Sequence, residues 1–334
     1  MVYVGLDVHQ RTSTLCILDQ NGRQVKTATV KGPWPKLLAE VRKIKRPFGI
    51  CFEATCGYGY LHDELRRMAR RVVVAHPGRL RLIFRSKRKN DRVDAEKLAK
   101  LLFLDEVPPA YVPSVDVRQW RSLIEYRRRL VDRQTGCKNV IRSLLRSCGV
   151  QGPRGLWTRK GLAWLEGLEL HAAAGLQRRL LLVELAGFRG QVREVTKVLD
   201  AMGARHPGVA VLRTIPGVGA RTAETVVAYL DDPSRFTRTR QVGAYFGLVP
   251  SQDASAGVNR LGHITRQGPP TARKYLVEAA WQAIRRSPTV RAFYERIRRG
   301  RKDRRKTALV ATAHYLLRCM YAMLSTGETW REAA

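Results

Sequence analysis

The sequence predicts an α/β domain, then a helical, coiled-coil arm, then a mostly α-helical last third. Three observations predict this order: apolar alternation over residues 1–31, alternating helical and extended patterns up to residue 75, and two long stretches of helical periodicity after residue 113. Helices and sheets must each bury an apolar face, so such a succession of elements forms packed layers. We place the domains at 1–112, 113–204 and 205–334.

Three β-strands in an antiparallel meander are expected first. Val2 to His9 and Thr12 to Asp19 are apolar and β-branched, and Gln20-Asn21-Gly22 supplies a turn before Arg23 to Lys31. Asp7 interrupts a strand that should be buried. A carboxylate in an apolar strand loses hydration without a partner, so Asp7 either requires a nearby cation or donor, or caps a turn at the strand end.

A parallel half of the sheet is expected next. Helical spacing predicts helices over 33–45 and 58–70, which alternate with strands over Phe48 to Glu53 and Arg71 to Ala75. The first of these strands again ends in a carboxylate. In α/β sheets ligands bind at the carboxyl ends of the parallel strands.

A later helix also begins with carboxylates. Asp91 and Asp94, three residues apart, share one side of a helix that runs to about Leu104. Two long helices, Val115 to Cys148 and Leu176 to Met202, follow a proline-bearing linker, and a hairpin or mobile turn is expected between them. Such a pair suggests an antiparallel arm that dimerises or spans a nucleic acid.

The last third begins with Ile215-Pro216-Gly217-Val218-Gly219. A Pro-Gly-x-Gly turn between two helices lets backbone N–H groups face a phosphate, as in helix-hairpin-helix DNA binders, and glycine permits the close approach. A plain helix–helix turn is the alternative. A loop over 247–268, a helix over 271–286, a basic stretch to Lys306 and an apolar helix over 307–324 follow.

The chain is strongly basic. Its 334 residues include 62 Lys and Arg against 28 Asp and Glu, a formal net charge of +34. Such an excess indicates a polyanionic partner, because a compact protein would otherwise repel itself. Nucleic acid is favoured over a membrane, since no apolar run approaches the ~20 residues of a membrane span and the basic residues are spread along the chain.

Six cysteines form no CxxC pair and no zinc-finger spacing with a histidine, so we expect buried thiols in a reducing compartment. The first residues enter a strand without a signal-peptide pattern, which favours a cytoplasmic, nucleoid-associated protein. The cysteines stand at positions 16, 51, 56, 137, 148 and 319.

Four carboxylates are candidates for a metal site: Asp7, Glu53, Asp91 and Asp94. If they converged without compensation they would repel one another and their pKa values would rise, whereas Mg²⁺ prefers such oxygen ligands. Two such ions about 4 Å apart stabilise the attacking and leaving oxygens of a phosphoryl transfer. Four unrelated surface or capping acids are the alternative.

Three motifs contain these acids in order: Val4-Gly5-Leu6-Asp7-Val8-His9, Phe52-Glu53-Ala54-Thr55 and Lys89-Asn90-Asp91-Arg92-Val93-Asp94-Ala95. They resemble the acidic motifs of the DEDD-type insertion-sequence transposases, serine recombinases related to the Piv/MooV DNA invertases. Residues 215–219 and 247–268 are similar to the second domain of that family. The resemblance implies an RNase H/RuvC-like fold for the first part, a distinct transposase domain for the last, and Mg²⁺ or Mn²⁺ at the four acids.

The resemblance also implies a nucleophilic serine. In that family it stands in a Ser-x-Gly context, which maps onto Ser255-Ala256-Gly257; Val258 replaces a second glycine that often follows, and Ser251 is a second candidate. A serine needs a base or a metal to become a nucleophile, and His263 is a candidate base. We expect the metal-bound acids and Ser255 to come from different domains or subunits and to assemble on DNA.

The implied reaction is attack of the Ser255 oxygen on a DNA phosphodiester, which leaves a phosphoserine link and a free sugar hydroxyl. Strand exchange and reversal then join donor and target DNA without ATP. The family further resembles RNA-guided recombinases, whose structured bridge RNA pairs with both DNAs, and this suits a protein rich in backbone-binding charge. A homodimer or homotetramer is expected, because chemistry on two duplexes favours more than one subunit.

The predicted nucleic-acid contacts are Gly217, Gly219, Arg260 and Lys274. The basic stretch Arg285 to Lys306, which includes Phe293 and Tyr294, is either a further backbone-binding surface or a solvated helix. Two other functions stay open. One is a metal-dependent junction resolvase or nuclease in which Ser255 has no role, and the other is a non-enzymatic nucleic-acid binder whose acids are structural.

Overall fold

The first strand, β1 (Val2–Val8), lies at the centre of a five-stranded sheet in the order β3-β2-β1-β4-β5. The computed structural model describes residues 1–55, 57–83, 90–255 and 258–332. The other strands of the sheet are β2 (Thr12–Leu18), β3 (Gln24–Lys31), β4 (Phe48–Glu53) and β5 (Arg71–Ala75). β1 pairs antiparallel with β2 and parallel with β4, β2 pairs antiparallel with β3, and β4 pairs parallel with β5. The expected meander and parallel half are confirmed, and so is a mixed α/β fold.

Four helices accompany this sheet: α1 (Trp34–Arg42), α2 (Tyr58–Arg66), α3 (Pro77–Ile83) and α4 (Asp91–Phe103). The first two end three to four residues earlier than the sequence predicts. The difference arises because Lys43 and Arg67 already bond to carbonyls three residues back, which tightens and closes each last turn.

Side chains alternate between the two faces of the sheet. One face packs on α1 and α2, and its core includes Val4, Leu6, Ile50, Phe52, Leu37 and Leu61. On the other face Cys51 shares a core with Leu98 of α4. Because successive residues of a strand point to opposite faces, Gly5, Asp7 and Glu53 belong to the face that α4 covers.

Gly5 lets α4 lie directly against β1. A Cβ on Gly5 would stand 2.0 Å from the carbonyl oxygen of Ala95 and 2.4 Å from the backbone nitrogen of Ala99, and both alanines are fully buried. The helix begins where the Asn90 side chain accepts a hydrogen bond from the Arg92 amide at 3.1 Å, an N-cap. Packing and cap together fix the first turn of α4 beside the end of β1.

The chain forms two compact units, Met1–Arg118 and Gln119–Ala334. The predicted boundary between an arm and a last domain near residue 204 stays a prediction. The predicted long helices are present as α5 (Val115–Ser147) and α7 (Ala172–Ala204), each of 33 residues.

The connection between α5 and α7 is not the hairpin or mobile turn that the sequence suggested. It contains α6 (Arg159–Gly167), and Leu156 and Leu165 are buried in a small core with Cys137 and Leu185 of the long helices. The glycines of this segment favoured the wrong interpretation, whereas its leucines and Trp157 supply the apolar surface that holds it in place.

The remaining elements form a mostly helical region, as predicted. They are α8 (Pro207–Leu212), α9 (Ala220–Leu230), a 3-10 turn (Pro233–Arg235), α10 (Thr239–Tyr245), β6 (Pro250–Ser255), β7 (Val258–Ile264), α11 (Pro270–Arg286), α12 (Pro288–Arg298) and α13 (Arg305–Thr326). The helices share one core with Trp120 and Ile124 of α5 and Leu199 of α7.

The predicted loop over 247–268 contains a β-hairpin, because β6 and β7 pair antiparallel. The prediction missed these strands because Ser251, Gln252, Leu261 and His263 are all exposed, so the hairpin has no buried face to create an alternating pattern.

Three of the cysteines that the structure describes, Cys16, Cys51 and Cys137, are buried as expected, and burial raises the pKa of the Cys51 thiol to about 12. Cys148 is exposed, contrary to the expectation, and Cys56 lies outside the described residues. Among the helices of the described ranges, none combines the length and the hydropathy that crossing a bilayer demands.

Candidate active site

Three side chains meet at the carboxyl end of β1. Asp7, His9 and Asp91 each offer one ligand atom, and these atoms lie within 4.8 Å of one another. The Nε2 atom of His9 is 3.3 Å from Oδ2 of Asp7 and 4.0 Å from Oδ1 of Asp91. The Asp7 side chain is only 20% exposed, whereas the other two are about half exposed. The group therefore has one mostly buried acid and an open, accessible side.

The environment of Asp7 disfavours its negative charge. Burial raises the pKa of Asp7 above its usual value, the neighbouring His9 lowers this pKa, and the charges of Asp91 and Asp94 raise it again. A carboxylate that has lost hydration and faces two other acids is stabilised strongly by a bound cation.

The two acids of α4 stand in its first turn. Negative side chains are favourable there because the unpaired N–H groups of a helix N-terminus carry partial positive charge. Asp94 has a nearby counter-charge, since its Oδ1 atom is 3.4 Å from Nζ of Lys97. Asp91 instead faces His9.

Glu53 is the last residue of β4 and is partly buried. Leu6 of β1 pairs with Phe52 of β4, so Asp7 and Glu53 are the next residues of adjacent parallel strands. Both belong to the face that α4 covers. Glu53 is nevertheless not part of the group of gathered ligand atoms. The structure thus gathers Asp7 and Asp91, keeps Asp94 in the same helical turn, and leaves Glu53 at the neighbouring strand end.

His9 is a residue of this group that the sequence analysis did not single out. It follows Asp7 by two residues, and the period of two along an extended chain predicts that both side chains lie on the same side. That spacing was the available signal. A lone histidine beside a strand end carries too little information to distinguish it from an ordinary surface residue.

The donor set fits a divalent ion. Asp7 and Asp91 offer carboxylate oxygens, which Mg²⁺ and Mn²⁺ prefer, and the raised pKa of Asp7 shows that its charge lacks compensation in the protein alone. His9 offers a nitrogen, a donor better suited to Mn²⁺ than to Mg²⁺.

The predicted turn between two helices is present, joining α8 to α9. Gly217 has φ +95, and a Cβ there would stand 2.6 Å from the backbone nitrogen of Ala283 in α11. The backbone of α11 therefore makes a close approach at Gly217, and the predicted contact of this turn with a phosphate stays a prediction. A Cβ on Gly219 would meet no described atom within 4 Å, so this position is open.

The predicted serine lies on the β-hairpin. Ser255 ends β6, where it pairs with Val258; its side chain and residues 256–257 lie outside the described residues. Ser251 is exposed near the other end of β6. Arg260 and His263 are exposed on β7. Nζ of Lys274, in α11, is 3.3 Å from Oδ1 of Asp132.

Two family models match the chain. One, of the DEDD IS110 type and described as "Transposase", matches residues 4–149 and so includes Asp7, Glu53, Asp91 and Asp94. The other, described as "Transposase IS116/IS110/IS902 family", matches residues 209–295 and includes Gly217 to Gly219 and the β-hairpin.

Curated relatives align along the whole chain. The transposase for insertion sequence element IS1111A of Coxiella burnetii is 27% identical over 342 residues, which cover 98% of this chain and 91% of the relative. A probable family 20 transposase of Pseudomonas aeruginosa is 26% identical over 343 residues, which cover 98% of both chains. The two models together match more than half of this chain's residues, so the chain is similar to the IS110/IS116 transposases along most of its length.

Proposed function

We propose that this transposase cuts and rejoins DNA strands through a phosphoserine intermediate, at a divalent-metal site formed by Asp7 and Asp91 with Asp94 and Glu53 beside them. The gathering of Asp7, His9 and Asp91 at the end of a central strand is the observation that carries the proposal. Mg²⁺ or Mn²⁺ is the proposed ion.

An RNase H/RuvC-like fold for the first unit is part of the proposal. Three features support it: the strand order β3-β2-β1-β4-β5, acids at the ends of the adjacent strands β1 and β4, and two further acids in the helix that packs against β1. Such a placement draws on distant parts of the chain to surround one point at the carboxyl edge of the sheet.

A bound divalent ion would neutralise the phosphodiester charge and stabilise the attacking and leaving oxygens. Asp7 and Asp91 would hold that ion, and Asp94 and Glu53 would add negative charge beside it. His9 is well placed to keep the two carboxylates together before the ion binds.

The strand is opened by the serine. The Ser255 oxygen attacks the phosphorus, the bond from phosphorus to the sugar oxygen breaks, and the sugar leaves as a free hydroxyl. The serine proton passes to a base, and a proton is delivered to the sugar oxygen. His263 would serve as that base from another subunit, because the strand register places it near Pro250, at the end of the hairpin away from Ser255. In reverse, a sugar hydroxyl of the partner strand attacks the phosphoserine and releases Ser255, so the bond energy is conserved without ATP.

The partners follow from the charge. A net charge of +34 favours DNA, both donor and target, and a structured guide RNA. Arg260 is exposed for such a contact, and Lys274, though paired with Asp132, is half exposed. Two duplexes in one reaction favour a homodimer or homotetramer in the bacterial cytoplasm, at the nucleoid.

Trapping of the covalent intermediate tests this function. The protein, its co-purified RNA and DNA containing the element ends are incubated with Mg²⁺, denatured, and examined for a protein–DNA adduct whose site is mapped by peptide mass spectrometry. We expect an adduct on Ser255 that is absent from Ser255→Ala and from Asp7→Asn, and that persists in Ser251→Ala, a matched change four residues away.

Other outcomes favour the other functions. Metal-dependent cutting by Ser255→Ala without any adduct favours a junction resolvase or nuclease. DNA-dependent functions that survive both Asp7→Asn and Glu53→Gln favour a non-enzymatic binder. An adduct on Ser251 would identify Ser251 as the nucleophile in place of Ser255 and leave the proposed reaction unchanged.

A further inference from the structure

Two aromatic rings stack beside the acidic group of the first unit. Trp34 is the first residue of α1 and Tyr60 lies in the first turn of α2. Their ring centroids are 6.0 Å apart and their planes differ by 18°, so the rings are stacked. The predicted chemistry, which needs only the acids and a serine, gives this pair no role.

The pair is joined to the acidic group through His9. The indole nitrogen of Trp34 donates a hydrogen bond of 3.2 Å to the carbonyl oxygen of His9. The imidazole of the same residue contacts Asp7 and Asp91. One residue therefore links the stacked rings to the proposed metal ligands.

Gly57 holds Trp34 from the other side. It has φ +78, a left-handed conformation that glycine adopts readily, and a Cβ there would stand 2.0 Å from Cη2 of Trp34. Gly57 follows the end of β4, where Glu53 lies, and forms the N-cap of α2. The indole is thus enclosed between the end of β1 and the connection from β4 to α2, both of which carry predicted site residues.

The ring of Tyr60 packs on Trp34 and is open to solvent. It is 48% exposed, whereas Trp34 beneath it is only partly accessible. An aromatic ring with one face supported and substantial exposed area is suited to stacking a planar group. In a protein that acts on DNA, the planar groups next to a phosphodiester are the bases of the same strand, and every base has a face that can stack.

We propose that Tyr60, supported by Trp34, stacks a nucleobase of the DNA strand whose phosphodiester lies at Asp7 and Asp91. The inference rests on the proposed function, because it places the cut strand at the acidic group. The ligand is an unpaired base of DNA, which the opening of the duplex exposes. We call Tyr60 and Trp34 together the stacking platform. Stacking tolerates any base, so this platform orients the DNA strand without selecting its sequence.

Fluorescence of a base analogue tests the platform without any cutting. The full-length protein is mixed with a short thymidine oligodeoxynucleotide carrying 2-aminopurine at its centre, with Ca²⁺ in place of Mg²⁺, and the quenching that EDTA reverses is measured. We expect this quenching in the wild-type protein and in Tyr60→Phe, and its loss in Tyr60→Ala, with affinity reduced about 5- to 150-fold.

Two controls separate stacking from unfolding and from general charge. Tyr126→Ala removes a tyrosine of similar exposure, 41%, in the second unit and should leave the EDTA-reversible quenching unchanged. The melting temperature of Tyr60→Ala should stay within a few degrees of that of Tyr60→Phe, because the lost ring is half exposed and gives up only its stacking on Trp34.

The platform is overturned if Tyr60→Ala quenches as the wild type does, or if only the matching ribo-oligonucleotide is quenched, which would assign the ring to RNA. These results differ from failure of the proposed function. A missing phosphoserine adduct leaves the fluorescence result intact, whereas an unquenched oligodeoxynucleotide removes the platform even where Asp7→Asn abolishes cutting.

Discussion

The acidic group and the predicted serine stand on two different kinds of scaffold. Asp7 extends from a strand with a neighbour on each side, and Asp91 from a helix whose backbone contacts that strand at Gly5. Ser255 ends a two-stranded hairpin that pairs with no further strand among the described residues. Strands β6 and β7 are exposed where their side chains are described, apart from Ile264, which is partly buried.

The comparison indicates a division of labour between the two units. The proposed metal ligands stand on packed elements, a central strand and the helix against it, before any substrate arrives, which lowers the cost of ordering them during the reaction. A two-stranded hairpin is only marginally stable by itself, so the serine obtains its position from what binds to it. We expect changes at the acidic group to affect catalysis or stability strongly, and changes on the hairpin to leave stability almost untouched.

Loss of the buried acid gives the largest expected effect. Asp7→Asn should reduce Mg²⁺-dependent strand cutting about 10³-fold or more, since an electrostatic contribution of several kcal/mol to the transition state is removed. Rates of cutting of element-end DNA measure it. Asp19→Asn is the matched control, because that partly buried acid caps the turn before β3 and lies outside the group of Asp7, His9 and Asp91. Equal loss in both variants would contradict a specific role for Asp7.

Gly5→Ala, which adds a methyl group between β1 and α4, should have the next largest effect, a loss of stability. Gly5→Ala places a Cβ against backbone atoms of Ala95 and Ala99, so the helix must move, at a cost of about 3 kcal/mol in the free energy of unfolding. Gly49→Ala is the matched control. Gly49 lies on the same face of the neighbouring strand, but a Cβ there would have Cδ2 of Leu102, at 3.6 Å, as its nearest atom. Urea denaturation compares the two, and equal costs would show that α4 is not held as described.

The protonation of Asp7 should make a smaller, pH-dependent contribution. Its pKa is higher in the folded protein than the usual 3.8, so the folded state binds the proton more tightly and the charged form costs stability at neutral pH. Without metal, Asp7→Asn should therefore unfold with a higher free energy near pH 7, and this advantage should vanish as the pH falls through the raised pKa to below 3.8.

Denaturation in EDTA across that pH range measures the difference. An advantage that grows toward low pH would mean that the folded-state pKa lies below the usual value, and would remove the argument that Asp7 requires a cation.

The smallest effect is expected on the hairpin. Leu261 is 66% exposed on β7, and Leu261→Ala should change the free energy of unfolding by less than about 0.5 kcal/mol. Leu98→Ala, which truncates a leucine of α4 that is 5% exposed, should cost about 2–5 kcal/mol. A hairpin variant that destabilises the protein as much as the α4 variant would end the distinction between the two scaffolds.

Much of the first unit could be predicted because its elements are buried. The bounds of β4 and β5 match the prediction, since each strand is a continuous apolar run between residues that stop it. The acids could be placed near one another for the same reason: strand ends and a helix start are visible in the sequence. The sequence does not show in which direction each side chain points at a strand end. Glu53 lies outside the group of ligand atoms that Asp7 and Asp91 form with His9.

The exposed β-hairpin and the connection that contains α6 were less predictable from the sequence. The β-hairpin carries no buried face, and the pattern of its residues resembles a polar loop. The packed connection that contains α6 depends on contacts between Leu165 and residues of two helices that are distant in sequence. Gly217 was correctly singled out as a position of close approach, but the partner is the backbone of α11, which no local pattern announces.

Because α4 packs on Gly5, Asp7 and Asp91 come together only after α4 has been synthesised. Asp7 emerges from the ribosome early, but it has no second carboxylate to share an ion with until Asp91 has been added, more than eighty residues later. A nascent or truncated polypeptide that stops before Asp91 has all five strands of the sheet but lacks the second carboxylate of the group. The proposed metal site is thereby absent from incomplete chains because of the path of the backbone itself.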